Sequence, residues 1–348
     1  MIQEVNLKHV HAGVLDIAYF ELGPADGMPT ILLHGFPYDA NAYDGVASRL
    51  AASGHRCIVP FLRGYGATRF LSPATPRSGE QAALGADLLS LMNALGIEKA
   101  ILGGYDLGGR AACIVAALWP ERVIGLVSAG TGYNIQDIAG AANPGAPDQE
   151  ARDWYQYYFH TERGRKGLEQ QRDQISRFLW QTWSPSWSFN DETFERSAAA
   201  FDNPDFLDVV IHSYRHRYGV VPGDPAYAEV EARLAEQPDI TIPPSSSSAP
   251  TMVSILHRPR IKMLSTSRER MTVRSLPALA TTSRRKLQFR LDSAPDDGQL
   301  KCRLPADEAL FHQLHHFQAL DQLFGQPLVA NQPSFARLAL ASEKRDRT

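Results

Sequence analysis

Residues 100–118 of this 348-residue chain, AILGGYDLGGRAACIVAAL, carry the strongest indication of its fold. The apolar start of this stretch, AIL, predicts a short buried strand, and the small apolar residues after Gly109 predict a helix packed against a sheet. Glycines flank the central Asp106, and glycine permits the backbone conformations of a sharp turn. A strand, a sharp turn and a helix are typical of a nucleophile elbow, which exposes one side chain.

The side chain at this elbow is a carboxylate, and that narrows the chemistry. A carboxylate that attacks a saturated carbon forms an ester, which water can hydrolyse. A serine would form an ether there, and the enzyme could not turn over. Aspartate is also a common helix N-cap, and on Asp106 alone the two interpretations have similar weight.

A second motif shifts the balance toward catalysis. The apolar run TILL, residues 30–33, predicts a strand that leads directly into HGFP, residues 34–37. In this architecture the loop after the third strand gives one backbone N–H to an oxyanion hole, and the residue after the nucleophile gives the other. The sequence therefore predicts oxyanion donors at Phe36 and Leu107. The other pocket residues expected from this loop are His34, Gly35 and Pro37.

With these motifs the chain resembles the aspartate-nucleophile branch of the α/β-hydrolase superfamily, which holds epoxide hydrolases, haloalkane dehalogenases and haloacetate dehalogenases. LRGYG, residues 62–66, is similar to another segment of that branch. The resemblance covers Val5 to Pro243. It implies an α/β fold, with a mostly parallel sheet, helices on both faces and an inserted helical cap. The implied divisions are residues 1–129 for the first part of the core, 130–235 for the cap and 236–348 for the rest of the core.

The resemblance also implies roles for two cap tyrosines. YQYYF, residues 155–159, and SYR, residues 213–215, match segments in which epoxide hydrolases carry the two hydroxyls that donate to the epoxide oxygen. Tyr155 and Tyr214 are the expected donors, with Gln156 beside them in the pocket; a tyrosine hydroxyl is neutral at pH 7 and donates well. Haloalkane dehalogenases hold the halide with a tryptophan at the position of Leu107. Leucine has no side-chain donor, so this position disfavours dehalogenation relative to epoxide opening.

The composition fits a soluble enzyme with one catalytic domain and one insertion. The chain is 44% hydrophobic and 21% charged, with a net charge of −3. Its three cysteines, Cys57, Cys113 and Cys302, are widely spaced and fit reduced thiols better than disulfides or a metal site. No N-terminal apolar segment or membrane-spanning run is visible, so we expect a cytoplasmic protein. The expected partner is a small-molecule substrate, with no cofactor, metal, nucleic acid or membrane.

The sequence after Pro243 departs from the family pattern. The family keeps a strand, an acid and a Gly-x-Gly-His segment there, whereas this chain continues PSSSSAP, and we expect no strand, acid or catalytic histidine. Residues 257–286 hold nine Lys and Arg and a single acid, Glu269. One interpretation is a basic tail that binds nucleic acid or an anionic surface. The favoured interpretation is a reading-frame shift near Pro243.

Codons read one base earlier restore the missing motifs. With GC-rich codons, residues 276–286 then read APGAGHNLPQE, and residues 243–255 read AVIVLGADDGVDP. The first contains the missing histidine segment, and the second contains the missing strand with its acid. The chain as given therefore has a nucleophile but lacks the histidine that would act as the base. None of the histidines in the tail is assigned a catalytic role; these are His257, His312, His315 and His316.

The sequence thus predicts a hydrolase that resembles epoxide hydrolases and opens an epoxide through an aspartyl ester. Loss of the catalytic histidine is expected to impair its turnover. The alternative enzymes are a haloacetate-type dehalogenase and a less specific α/β-hydrolase. The alternative from another class is a non-catalytic remnant or binding protein that keeps the pocket without turnover.

Overall fold

The protein was analysed as a computed structural model, which describes residues 7–130, residues 132–242 and the backbone of residues 252–254. Its centre is one sheet of eight strands. The strands are β1 (Lys8–Ala12), β2 (Leu15–Leu22), β3 (Met28–Leu33), β4 (His55–Pro60), β5 (Arg69–Phe70), β6 (Ala100–Tyr105), β7 (Val123–Ala129) and β8 (Met252–Ser254).

The sheet is mostly parallel, as predicted. Its order is β1-β2-β4-β3-β6-β7-β8, with β5 beside β2. Strands β3, β4, β6, β7 and β8 pair in parallel, whereas β1 and β2 form an antiparallel pair at one edge. The central strands are buried along most of their length, which explains why they read as continuous apolar runs rather than alternating ones.

Helices cover the sheet and also form a separate group between β7 and β8. Three helices alternate with the strands, namely α1 (Asp44–Ala52), α2 (Gln81–Ala94) and α3 (Asp106–Leu118). Six more, here called the inserted helices, are α4 (Pro147–Arg152), α5 (Trp154–His160), α6 (Glu162–Trp183), α7 (Asp191–Ala198), α8 (Phe206–Arg217) and α9 (Ala228–Ala235). The α/β-hydrolase fold expected from the sequence is confirmed.

The inserted helices bind the loop that follows β3. The Trp180 indole on α6 donates to the Pro37 carbonyl oxygen at 2.8 Å. The Ser197 hydroxyl on α7 donates to Asp39 at 2.7 Å. Because both acceptors are buried in the loop that contains HGFP, the inserted helices lie over that loop and help to fix it.

One prediction about the C-terminal part is wrong. A strand does follow Pro243, because Met252–Ser254 pairs in parallel with residues 126–128 of β7. Met252 and Val253 are apolar, and valine favours strands. Three residues of the sequence as given therefore extend the sheet. The rest of the tail, with its histidines, lies outside the described residues.

Two smaller predictions can be compared with the structure. Cys57 and Cys113 are buried free thiols, as expected, while Cys302 lies outside the described residues. Within the described parts of the chain, no helix is both long enough and apolar enough to cross a membrane.

Candidate active site

Asp106 occupies a sharp turn between β6 and α3. Its φ is +46°, in the left-handed region that few residues other than glycine adopt, although aspartate tolerates it better than most. Gly108 allows the start of α3 to approach β3, because a Cβ there would lie 2.1 Å from the Leu33 carbonyl oxygen. The strained turn and the close approach together match the elbow expected from the sequence.

Both predicted oxyanion donors face the Asp106 carboxylate. The Leu107 N–H donates to Oδ1 at 2.5 Å, and the Phe36 N–H donates to the same oxygen at 3.5 Å. Gly35 permits this approach, since a Cβ at Gly35 would lie 2.6 Å from the Asp106 Cβ. Pro37 is held by the inserted helices through its carbonyl. Two backbone segments that are far apart in the chain therefore converge on one carboxylate oxygen.

His34 orients this loop and does not titrate near neutral pH. Its Nε2 accepts from the Leu62 N–H at 3.1 Å, and its Nδ1 lies 3.2 Å from the Gly35 carbonyl oxygen, which it can donate to. Complete burial lowers the pKa of His34 to about 4, so the ring is neutral. His34 lies in the predicted pocket loop, and its contacts there support the backbone.

The two predicted tyrosines lie together on the other side of the site. Tyr155 on α5 and Tyr214 on α8 have ring centroids 5.4 Å apart, and both rings contact the ring of Phe36. Burial, helped by the charge of Asp106, raises the pKa of each hydroxyl above its ordinary value, so both are protonated at neutral pH. Gln156, also a predicted pocket residue, donates to the Tyr155 hydroxyl at 3.1 Å.

The hydroxyl of Tyr214 lies beside that of Tyr155, which influences its pKa. It makes no hydrogen bond of ordinary geometry to any described residue, although it is fully buried. A buried hydroxyl without a partner costs free energy, and such groups occur where a ligand or water supplies the partner. The Tyr214 hydroxyl is therefore available as a donor to a bound molecule, and the Tyr155 hydroxyl, which accepts from Gln156, keeps its own proton to donate.

A small cavity borders the rings of Phe36 and Tyr214. Its volume is about 10 Å³, room for roughly one water, and neither Asp106 nor Tyr155 lines it. The Phe36 ring packs against both tyrosine rings. A space for a small epoxide between the tyrosines and Asp106, expected from the sequence, stays a prediction.

The structure adds a residue that sequence reasoning missed, Asn134. Its amide Nδ2 donates to the Asp106 carbonyl oxygen at 2.7 Å, and its Oδ1 accepts from Arg110 at 3.3 Å. Asn134 thus holds the backbone of the strained residue itself. Arg110 lies one helical turn after Asp106 in the quoted stretch, so spacing could have indicated it, but no sequence signal marks Asn134 in the loop after β7.

A second arginine, Arg217 at the end of α8, lies near Arg110. With the Gln136 amide oriented so that its oxygen faces both groups, that oxygen accepts from Arg217 Nε at 3.0 Å and from Arg110 at 3.2 Å. Burial and the charge of Arg217 lower the pKa of Arg110 to about 10. Neither guanidinium forms an ion pair with a carboxylate within the described ranges. The charge of Asp106 and the hydroxyl groups of Tyr155 and Tyr214 favour the charged form of both guanidinium groups.

No histidine of the described residues hydrogen-bonds to Asp106. The partners of Asp106 there are the N–H groups of Phe36 and Leu107 and the amide of Asn134. The predicted loss of a catalytic base depends on residues outside the described ranges, so it stays a prediction.

The family model for the alpha/beta hydrolase fold matches residues 29–228. A solved structure from Klebsiella pneumoniae subsp. pneumoniae MGH 78578, provisionally described as an epoxide hydrolase, is 46% identical, with a TM-score of 0.68 over 72% of this chain and 80% of that chain.

Two curated relatives match shorter parts. Epoxide hydrolase 3 of Siraitia grosvenorii is 34% identical over 122 residues, 35% of this chain and 38% of that protein. The dihydrolipoyllysine-residue acetyltransferase component of the acetoin cleaving system of Pseudomonas putida is 36% identical over 138 residues, 37% of this chain and 36% of that protein. The chain therefore spans less than half the length of each of these relatives, and their activities differ.

Proposed function

The chain belongs to the alpha/beta hydrolase fold family, and from this premise we propose that it opens a small epoxide through a covalent ester on Asp106. The observation that carries the proposal is the convergence of the Phe36 and Leu107 N–H groups on Asp106 Oδ1. In a covalent ester this oxygen becomes the carbonyl oxygen, which gains negative charge when water attacks, and two fixed donors stabilise that charge. In this account residues 130–235 act as the cap.

The first chemical step uses both sides of the site. Asp106 Oδ2 attacks one epoxide carbon, the bond between that carbon and the epoxide oxygen breaks, and the ester forms. The released oxygen gains negative charge and takes a proton from Tyr155 or Tyr214, whose raised pKa values keep them protonated beforehand. Solvent then returns a proton to the tyrosine. The aspartate nucleophile fits this step because the product is an ester.

The second step, hydrolysis of the ester, needs a base to activate water. We propose that the chain as written lacks this base because of a reading-frame shift near Pro243, and that it stalls at the ester. Sequencing the coding DNA around Pro243 tests the shift directly. The proposal also includes a small-molecule substrate and a cytoplasmic location.

The experiment measures epoxide consumption and diol release with styrene oxide in excess. We expect at most one equivalent of epoxide consumed per chain and no sustained diol release, and we expect neither event with Asp106→Asn. A protein translated in the restored frame should turn over repeatedly. Sustained turnover by the chain as written would contradict the loss of the base. Absence of any reaction in both proteins would favour the non-catalytic remnant.

A second candidate, a haloacetate-type dehalogenase, is favoured by the pair Arg110 and Arg217. Their guanidinium groups share the Gln136 oxygen and have no carboxylate ion pair within the described ranges, and Arg110 Nε is buried without a hydrogen-bond partner there. A carboxylate on the substrate would match two such donors. Asp106 would then displace a halide from the neighbouring carbon, and Leu107 would offer that halide no side-chain donor.

The two candidates differ in what the first step releases. Incubation with chloroacetate should liberate about one chloride per chain if the dehalogenase interpretation is right, and Arg217→Met should abolish this release. If epoxide opening is the function, chloroacetate gives no chloride and styrene oxide reacts.

A further inference from the structure

A second cluster of ionisable side chains lies at the junction between the core and the inserted helices. Glu80 immediately precedes α2, His216 lies in the last turn of α8, and Glu231 lies in α9. One potential ligand atom from each lies within 4.8 Å of the other two. None of the three hydrogen-bonds to Asp106, and the proposed reaction does not use them.

The cluster holds two carboxylates without a direct cationic partner. The Glu80 side chain has 0% exposure, and Glu231 is partly buried. The charge of Arg63 acts on Glu80, but this guanidinium already binds both oxygens of Asp87, at 2.6 and 2.7 Å. Two carboxylates close together in a buried place repel each other, so a cation between them would lower the free energy.

His216 is the independent observation that points to a ligand. Its side chain is only 10% exposed, its Nδ1 makes no hydrogen bond to a described residue, and its Nε2 faces Oε2 of Glu80 at 3.7 Å. The neighbouring His212 is different, because its Nδ1 accepts from the Gly79 N–H and its Nε2 lies 3.1 Å from the Pro222 carbonyl oxygen. Both ring nitrogens of His212 have partners, whereas a buried imidazole nitrogen without a partner requires an explanation.

The separation of His216 from Glu80 fits a shared metal better than a shared proton. Nε2 of His216 lies 3.7 Å from Oε2 of Glu80, which is too long for a hydrogen bond. Two ligands on a tetrahedral zinc with bonds of about 2.1 Å lie about 3.4 Å apart. The separation of Nε2 and Oε2 is therefore within a few tenths of an ångström of the spacing that two ligands of one zinc ion need, and a carboxylate oxygen of Glu231 lies within 4.8 Å of a ligand atom of both residues.

The carboxylates are already oriented by other contacts. Glu80 accepts from the Asp224 N–H at 2.8 and 3.0 Å, and Glu231 accepts from the Ala82 N–H at 3.0 Å and from Gln81 at 3.2 Å. Each carboxylate oxygen keeps a second lone pair for a metal. Contacts of this kind fix first-shell ligands in metal sites.

We propose that Glu80, His216 and Glu231 bind one zinc ion, with the remaining position open to water or another ligand. One nitrogen and two carboxylate oxygens form a ligand set that zinc accepts. Because Glu80 belongs to the core and the other two belong to α8 and α9, the ion would fasten the inserted helices to the core. The sequence led us to expect no metal, and these three residues lie far apart in the chain.

Zinc titration of the full chain, stripped of metal with EDTA, tests this proposal. The exposed pair His9 and His11 lies beside Asp16 and could chelate zinc on the surface, so the parent protein carries His9→Gln and His11→Gln. We expect one equivalent of zinc to bind by calorimetry and to raise the unfolding temperature. His216→Gln should weaken this binding at least about 100-fold. Glu231→Gln should weaken it too.

The matched control is His55→Gln, a half-buried histidine at the start of β4 that contacts Thr30 and lies outside the cluster. This variant should bind zinc as the parent does. If the parent binds no zinc, the proposal is wrong, and that result needs no variant to fold. If His216→Gln keeps the full equivalent, the metal is bound elsewhere and the proposal is equally wrong. Epoxide chemistry at Asp106 is measured separately, so either proposal can fail alone.

Discussion

The two sides of the site are built by different means. On the nucleophile side, formed by the loop after β3 and the turn into α3, backbone N–H groups hold the carboxylate of Asp106. On the tyrosine side, formed by α5 and α8, ring contacts and burial position Tyr155 and Tyr214. Backbone geometry leaves little freedom, whereas packed aromatic side chains can change rotamer without breaking the sheet.

This difference indicates which side adapts when a substrate binds. The rings of Tyr155 and Tyr214 pack against each other and against the ring of Phe36, and such side-chain contacts can rearrange. The nucleophile side is fixed by main-chain hydrogen bonds and by glycine contacts with neighbouring backbone. We therefore expect substrate binding to displace side chains of the tyrosine side and to leave the elbow unchanged.

The largest expected effect tests the rigidity of the nucleophile side. Gly108→Ala would place a Cβ 2.1 Å from the Leu33 carbonyl oxygen and 2.5 Å from that of His34, so strand and helix must separate. We expect this variant to lose about 3 kcal/mol of unfolding free energy or to fail to fold. Urea unfolding followed by circular dichroism measures the change.

Gly109→Ala is the matched control in the next position of the same helix. Its Cβ would lie 3.2 Å from the Gly104 carbonyl oxygen, a tight contact that a shift of a few tenths of an ångström relieves. Because alanine also favours a helix over glycine, stability should stay within about 1 kcal/mol of the parent. Equal losses in the two variants would contradict the account of a backbone-limited elbow.

The next effect separates stability from reactivity on the tyrosine side. Tyr214→Phe removes a hydroxyl without an ordinary hydrogen bond, so unfolding free energy should hardly change, while ester formation should slow about 10- to 100-fold. Tyr155→Phe should slow ester formation similarly and should also cost about 1 kcal/mol, because Gln156 loses its acceptor. Rates of protein modification by styrene oxide and urea midpoints provide both readouts. Unchanged rates in both variants would remove the tyrosines from the mechanism.

The smallest expected effect concerns Asp39, which joins the loop after β3 to α7 through Ser197. Burial raises the pKa of Asp39 to about 7, although Ser197 and Asn41 favour its charged form. The folded protein therefore holds a proton that the unfolded chain releases near pH 4, and stability falls as the pH rises from about 4 to 7. Asp39→Asn should remove a part of this loss, on the order of 1 kcal/mol.

Urea midpoints at pH 5 and pH 8 measure the contribution of Asp39. Glu80, whose pKa burial also raises to about 7, acts in the same direction, so Asp39→Asn should reduce the pH dependence without abolishing it. If the urea midpoint changes equally between pH 5 and pH 8 in parent and variant, Asp39 is not protonated in the folded protein.

The nucleophile side could be predicted from sequence because its signals are local. Glycines around Asp106 and the HGFP loop after an apolar run each specify a turn within a few residues. Their convergence follows from parallel strands, whose carboxyl ends meet at one edge of the sheet. The predicted donors Phe36 and Leu107 accordingly face one carboxylate oxygen.

The remaining features depend on tertiary contacts that no local pattern records. Asn134 reaches Asp106 from a loop, and Arg217 reaches Gln136 from the end of α8. The tyrosines were identified only through a resemblance, and the packing of their rings against Phe36 was not foreseen. The strand at Met252–Ser254 was missed because three residues beside a serine-rich run are too short a pattern.

The most direct measurement is mass spectrometry of the protein after incubation with styrene oxide, with peptide mapping of the modified site. The account predicts one added substrate per chain, stable over hours, on the peptide that contains Asp106, and no addition to Asp106→Asn. A modification on another residue, or an unmodified protein that still consumes epoxide, would contradict the ester on Asp106.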